Sequence, residues 1–525
     1  MDRRRFLKAG ASAAAIPLAS GNLTAKAFGM SPLSLLAGQA QSDRILVVIR
    51  MDGGNDGLNM VLPLDQYDNL AKARANILIP PDKALKLNDA TGLHPSMGGL
   101  HALYQEGKLR VIQAVGYPNH NQSHFRSTDI WFTASESNQV LDSGWLGRYL
   151  DGIFPGFPDG YPNGNFPDPP AMQIGSVLST LLQGEDAPLG MAISNPASIY
   201  SLVPNGVDVA PATPAGHELE FIRQMASQTQ KYGQSIQKAT AAGVNKSTLY
   251  PATGNRLADQ LKGVARLISG GLQTKVYVVS IGGFDTHASQ IDGATGDTTT
   301  GKHAQLLGQL SEAVAAFQDD MKLLGLEDRV VGMTMSEFGR RILSNASFGT
   351  DHGTSAPLLV FGKPVAGGIL GVNPAIPAAV TVKDNVPMQF DYRSVYATLL
   401  RDWLGVSDAE VKKVMLKDFP SLPFIGPTGI VPRTPGRAGG IGLEQNFPNP
   451  FRGATTLRYR VPAGQRVILR LYDLRGQAVR TLVDGFQAPG SYMKSLEAGS
   501  LRPGTYVYRL QVGELSLQRT LQVLR

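Results

Sequence analysis

The chain has 525 residues, 42% hydrophobic and 17% charged, which is the composition of folded protein and too long for one ordinary domain. The net charge of +7 is unevenly spread: residues 1–27 carry +4 and residues 443–525 carry +7, leaving 28–442 at −4. A mildly acidic centre excludes nucleic-acid binding there, and the absence of cysteine excludes disulfides, zinc–thiolate sites and a cysteine nucleophile.

Residues 1–27 open with Asp2-Arg3-Arg4-Arg5-Phe6-Leu7-Lys8, continue into the small-residue apolar run AGASAAAIPLAS, and end at Ala25-Lys26-Ala27. Paired arginines, a weakly apolar stretch and an Ala-x-Ala site resemble a twin-arginine signal peptide. The resemblance implies export by the twin-arginine translocase. The apolar run is well short of the roughly 20 residues a spanning helix needs, so no transmembrane segment is expected in the mature protein. Residues 28–42 read as a linker.

A core is expected over 43–425. Ile45–Ile49, Leu109–Ile112, Val276–Val279, Val330–Met333 and Leu358–Phe361 are nearly continuous apolar runs, the pattern of strands covered on both faces. Helical spacing is clearest over 303–326, with further helices expected over 216–241, 255–270 and 391–405. Alternation of the two predicts a three-layer, doubly wound, mostly parallel α/β sheet, whose ligands bind beyond the carboxyl ends of the strands. Residues 152–170 are Pro/Gly/Asn-rich and read as an ordered surface loop, and 426–442 as a flexible linker. Over 443–525, TLRYRV, VILRLYDL, TYVYRLQV and SLQRTLQVL alternate with turns, predicting a small all-β, immunoglobulin-like sandwich.

Five motifs carry the chemistry: MDGGNDG at 51–57, NQSHFR at 121–126, GGFDTH at 282–287, SEFGRR at 336–341 and GTDHG at 349–353. Three directly follow apolar runs. Asp285 and His287 are one residue apart, so in an extended loop both point the same way, an oxygen and an imidazole suited to one metal ion. His94, His101, His120 and His303 are weaker candidates: His94 caps or lines a rim, and His303 begins a helix.

Through DGGNDGLN, HP, SHF, GFDTH, SEFGR, TDHG and the late DYRSVYATLL, residues 43–405 resemble the exported family catalogued as domain of unknown function 1501, related to the alkaline phosphatase and sulfatase superfamily. The resemblance implies an alkaline phosphatase-like core. It also implies one or two divalent metal ions (Zn, Mg, Mn or Ca) and hydrolysis of a small-molecule or glycan phosphate or sulfate ester. It makes Asp52 a metal ligand, though the flanking glycines equally suit an Asp that caps a turn. Ser123 stands where the superfamily has its nucleophile, at a helix start that would favour an anion, and is equally placed to be an N-cap. Asp351 and His352 match the superfamily's late histidine, with Asp351 either a ligand or an orienting carboxylate. Glu337 replaces the superfamily's Asp-His pair, which suits oxygen-only binding or no second metal; Arg340 either pairs with Glu337 or contacts substrate. Asn55, His124 and Arg126 are the remaining expected substrate contacts. The absence of Cys and of a C/S-x-P-x-R pattern argues against a formylglycine sulfatase.

The last domain resembles a type IX secretion C-terminal sorting domain, through LEQNFPNPF at 443–451, LYDLRG at 471–476 and Gly504-Thr505-Tyr506. It implies passage by outer-membrane secretion machinery to the cell surface or medium. The opposing expectation is a non-catalytic surface protein whose site holds a structural metal or a glycan.

Overall fold

The structure, a computed structural model, describes residues 43–194, 230–426 and most of 442–524. The expected signal peptide 1–27, the linker 28–42, the 216–229 part of the expected helix 216–241 and residues 427–441 of the expected linker lie outside the described residues. The described chain falls into two compact units, one α/β and one all-β.

The α/β unit is built on β1 (Ile45–Asp52), β2 (Leu109–Gly116), β3 (Ala171–Ile174), β4 (Met191–Ile193), β5 (Val276–Gly282), β6 (Val330–Met335), β9 (Ala356–Phe361), β10 (Gly368–Leu370) and β11 (Phe390–Asp391). Their order is β10-β2-β9-β6-β1-β5-β3-β4, with β11 added at the end of β2. β1 runs parallel to β5 and β6, and only β9 runs against its neighbours. A separate hairpin, β7 (Arg340–Ser344) with β8 (Thr350–His352), stands between β6 and β9 in sequence.

Alternation along β1 decides what covers each face. Leu46 and Val48 point into one apolar core with α2 (His124–Thr133), α3 (Trp145–Ile153) and α6 (Tyr392–Thr398). Ile45, Val47, Ile49 and Met51 point into the other with α1 (Gly98–Gln105), α4 (Arg256–Ser269) and α5 (Lys302–Leu323). A sheet buried on both faces needs apolar residues at successive positions, which is why these strands read as unbroken runs. Residues 230–242 are helical, and 154–170 forms no regular element but buries Phe154, Phe157 and Tyr161 against one another and Phe166.

Register brings the motifs to one edge. Asp52 pairs with Gly282 and Arg50 with Met335, so three adjacent strands end level and release loops 53–56, 283–287 and 336–339 side by side. The opposite run of β9 puts its first residue, Ala356, beside Val115, so the chain leaving β2 toward α2 emerges there too.

The second unit has two antiparallel sheets, one of 442–443, 454–461 and 490–497, the other of 478–487, 465–472, 504–512 and 515–523. Leu457, Tyr459, Val467, Leu469, Tyr508, Leu510 and Leu521 fill one core between them. Tyr506 donates its hydroxyl to the Arg502 carbonyl, and Tyr508 accepts from the Asn446 amide, which fastens the start of the unit to its centre.

Candidate metal centre

The loop after β1 starts with two glycines at φ +124° and +76°. A Cβ on Gly53 would meet the Asp285 amide nitrogen at 2.2 Å, and one on Gly54 the Phe338 ring at 2.2 Å. Both positions thus need glycine for conformation and for space. The close approach lets loop 53–56, loop 283–287 and strand β8 share one guanidinium. Arg340 is buried and donates to the carbonyls of Gly53, Gly54, Phe284 and Thr350, and at 2.6 Å to Asp285 Oδ1.

Three imidazoles surround the Asp285 carboxylate. His352 Nε2 lies 3.2 Å and His287 Nε2 3.3 Å from Oδ1, while His124 Nε2 lies 3.5 Å from Oδ2. Ligand atoms of His124, Asp285 and His352 all fall within 4.8 Å of one another. Each ring is held through its other nitrogen by an oxygen: His352 Nδ1 by the Gln122 carbonyl at 2.9 Å, His287 Nδ1 by Asp351 at 3.1 Å, and His124 Nδ1 by Glu337 at 2.8 Å. Carbonyl and carboxylate oxygens accept, so a neutral ring that keeps its proton on Nδ1 turns an Nε2 lone pair toward Asp285, and a cation between them answers both. Nε2 of His287 and Nε2 of His352 lie 2.9 Å apart. Lone pairs that close repel unless a cation lies among the rings, and imidazole fixed by an oxygen behind it is how proteins aim histidine at a metal.

Burial raises the Asp285 carboxyl, but the Arg340 guanidinium and the imidazoles beside it outweigh that and hold the pKa down at about 2. Burial lowers His352, against its bonds to Gln122 and Asp285, which favours the neutral, metal-binding ring. The donor set of imidazole nitrogen and carboxylate oxygen fits a divalent metal ion.

Residues 43–415 match the family described as protein of unknown function (DUF1501). The chain belongs to that family. Residues 445–523 of this DUF1501 protein match the secretion system C-terminal sorting domain, of the type IX kind, and the protein is exported to the cell surface or medium. No helix among the described residues is long and apolar enough to cross a membrane. Similar solved structures include a protein of a glycosaminoglycan-metabolism locus in Bacteroides thetaiotaomicron (10% identity, covering 84% of this chain and 89% of that one, TM-score 0.34). Two others are a sulfatase from Pseudoalteromonas sp. (12%, 89% and 86%, 0.30) and an alkaline phosphatase superfamily protein from Vibrio parahaemolyticus (11%, 90% and 85%, 0.29). No curated protein matches the chain.

The expected site residues of the DUF1501 chain divide sharply. Asp285, His287 and His352 meet, and His124, expected as a substrate contact, joins them: as the first residue of α2 its side chain reaches back over the start of the helix. Asp351 and Glu337 stand behind rings as orienting carboxylates, Asp351 behind His287 rather than His352. Glu337 also accepts the Gly53 amide. Asp52 turns to Arg50 at 2.8 Å; burial raises its pKa, Arg50 opposes and Glu337 adds to the rise.

Three expected substrate contacts have side chains held by groups of the protein itself. Asn55 is buried, facing His303 Nε2 at 3.0 Å and Met60 Sδ at 3.1 Å, because the two glycines turn the chain inward before it. Arg126 is spent on Asp129 and the carbonyls of Ser137 and Gln139. Arg340 neither pairs with Glu337 nor reaches solvent; it is tied to four carbonyls and Asp285. Ser123 is exposed at the start of α2 and its hydroxyl makes no capping bond. Among the weaker histidines, the buried His94 accepts the Ser96 amide, the half-buried His120 accepts the Tyr117 amide, and His101 lies against the Lys86 carbonyl.

Proposed function

We propose that this edge of the sheet is the metal site of an exported hydrolase that cleaves phosphate or sulfate esters of small molecules or glycans. The observation that carries the reading is the convergence of three imidazoles, each held through Nδ1, on Asp285, with two Nε2 atoms 2.9 Å apart. His124, Asp285, His287 and His352 would hold one divalent cation, which when bound polarises an ester oxygen and lowers the pKa of a hydroxyl or water beside it. Glu337, Asp351 and the Gln122 carbonyl keep the rings aimed. Arg340 supplies a fixed positive charge against Asp285. Ser123, with an uncommitted hydroxyl next to His124 in sequence, is the proposed nucleophile. Export of folded, metal-loaded protein by the twin-arginine translocase through residues 1–27, followed by secretion directed by 443–525, belongs to the same proposal, as does the division into a core at 43–425 and a sorting domain.

A second reading has a specific observation in its favour. Asp52 is engaged by Arg50 and Asp285 Oδ1 by Arg340, so carboxylates that a second metal ion would use already face guanidinium groups. That suits a single structural metal in a non-catalytic surface protein. Metal analysis of the purified chain and a panel of phosphate and sulfate esters separate the two. Bound metal with turnover that is lost in Ser123→Ala supports the hydrolase. Bound metal without turnover on any ester sinks it, and the absence of metal sinks both.

A further inference from the structure

Beneath the exposed imidazoles lies a second polar layer that none of the five motifs contains in full. Gln290, three residues past FDTH, is entirely buried. Its side-chain amide donates to Asp56 Oδ2 at 2.6 Å, and its carbonyl oxygen accepts from Thr286 Oγ1 at 3.0 Å and Thr350 Oγ1 at 3.2 Å. Its main chain is used as well: the amide donates to the Phe348 carbonyl and the carbonyl accepts from the His303 amide. One side chain therefore joins the loop after β1, the loop after β5 and the hairpin strand β8. Thr286 lies between Asp285 and His287, and Thr350 is two residues before His352.

We infer that Gln290 is a positioning residue that fixes the separation of the Asp285–His287 pair from His352. This rests on the metal-site reading. Thr286 stands between Asp285 and His287, so anchoring its hydroxyl holds the piece of loop that carries both. Thr350 anchors β8 two residues before His352. Both hydroxyls share one acceptor, so neither loop shifts along the sheet without breaking a buried bond. Asp56 anchors the third corner, itself gripped by Arg74 at 2.9 and 3.0 Å. Every member of the layer is fully buried and bonded, the condition under which a polar network specifies one geometry.

The test uses the full chain, with cobalt(II) as the metal probe and amide hydrogen exchange read in the metal-free protein. Gln290→Met keeps the length and removes all three side-chain bonds. Thr286→Val/Thr350→Val removes the two hydroxyl donors and leaves Gln290 on Asp56, and it carries the test if Gln290→Met does not fold. Expected are a 10- to 100-fold loss of cobalt affinity, a change in the visible cobalt spectrum, and faster exchange over 284–290 and 349–353 with β1 unchanged. Wild-type affinity and spectrum in a folded variant overturn the inference and leave the metal site standing. A wild-type chain that binds no cobalt overturns the metal site; local exchange then decides about Gln290, faster exchange supporting the clamp and unchanged exchange overturning it.

Discussion

Asp285 and Asp56 both follow a central strand at the same edge of the sheet, yet they sit in opposite surroundings. Asp56 is fully buried and fully answered: Arg74 grips both oxygens and Gln290 adds a third donor. Burial alone would raise its pKa, but Arg74, His303 and Gln290 together hold it below the ordinary carboxylate range. Asp285 is nearly half exposed and faces three imidazoles with only one guanidinium donor. Asp56, Arg74, Gln290, Thr286 and Thr350 have their charges paired and their side-chain bonds made, whereas the Nε2 atoms of the upper cluster crowd one carboxylate and each other. A closed floor under an open cluster is how a fold holds ligands in place before a cation arrives.

The largest effects should come from opening the floor. Arg74→Met leaves the Asp56 carboxylate buried without its cation, and breaking such a pair costs about 3–5 kcal/mol. Thermal or denaturant unfolding should show that loss, together with looser packing of β7, because Arg74 also donates to the Arg341 and Ile342 carbonyls. A loss under about 1 kcal/mol would mean the floor is not the anchor described here.

Acid should attack the same layer. Burial lowers His303 to about 4 and His94 to about 3, from 6.5. The unfolded chain therefore takes up protons first as pH falls. Stability is highest above 6.5, declines on acidification, and levels off only below the folded-state values. The depressed Asp56 acts in the same direction at lower pH. At 1.36 kcal/mol per pKa unit, His303 alone accounts for roughly 3 kcal/mol between pH 7 and 4. Denaturant titrations at pH 7, 5.5 and 4 with His303→Asn, which is expected to flatten the decline, check this.

The upper layer should respond to metal instead. His352→Ala is expected to change the stability of metal-free protein by about 1 kcal/mol or less, since it removes one of two crowded Nε2 atoms. Wild-type protein at a hundredfold excess of metal over Kd gains about 2.7 kcal/mol from binding, and the variant loses that gain. Melting with and without added zinc or manganese measures both numbers. An equal metal-induced shift in the two proteins would remove His352 from the site.

This contrast also explains what the sequence made legible. Apolar runs put three of the motifs after strands, so Asp285 and His287 were expected together from their spacing, and His352 from the resemblance to the superfamily's late histidine. His124 was read as a substrate contact because its direction depends on where α2 begins. Arg126 was expected to contact substrate from its place beside Ser123, and Arg340 to pair with Glu337 or contact substrate, whereas carbonyls brought together around Gly53 and Gly54 draw Arg340 inside. Gln290 and Arg74 carry no local signal: a glutamine after FDTH and an arginine ending a short helix acquire meaning only when three distant segments close on them. β3 and β4 have four and three residues, too few to show a period.

Ser123 gives the smallest expected stability change and the sharpest functional one. It occupies the N-cap of α2 in extended conformation, where a serine hydroxyl commonly accepts a bond from the first turn and its loss costs about 1 kcal/mol. Here the hydroxyl makes no such bond, and the Ser123 amide donates instead to Asn121 Oδ1. Ser123→Ala should therefore shift stability by no more than about 0.5 kcal/mol, the range of an ordinary surface substitution. A loss near 1 kcal/mol would show the serine capping the helix in solution, and so committed to structure. A silent melt combined with abolished ester turnover would separate the nucleophile from the cap, because no structural debt then remains to explain the lost rate.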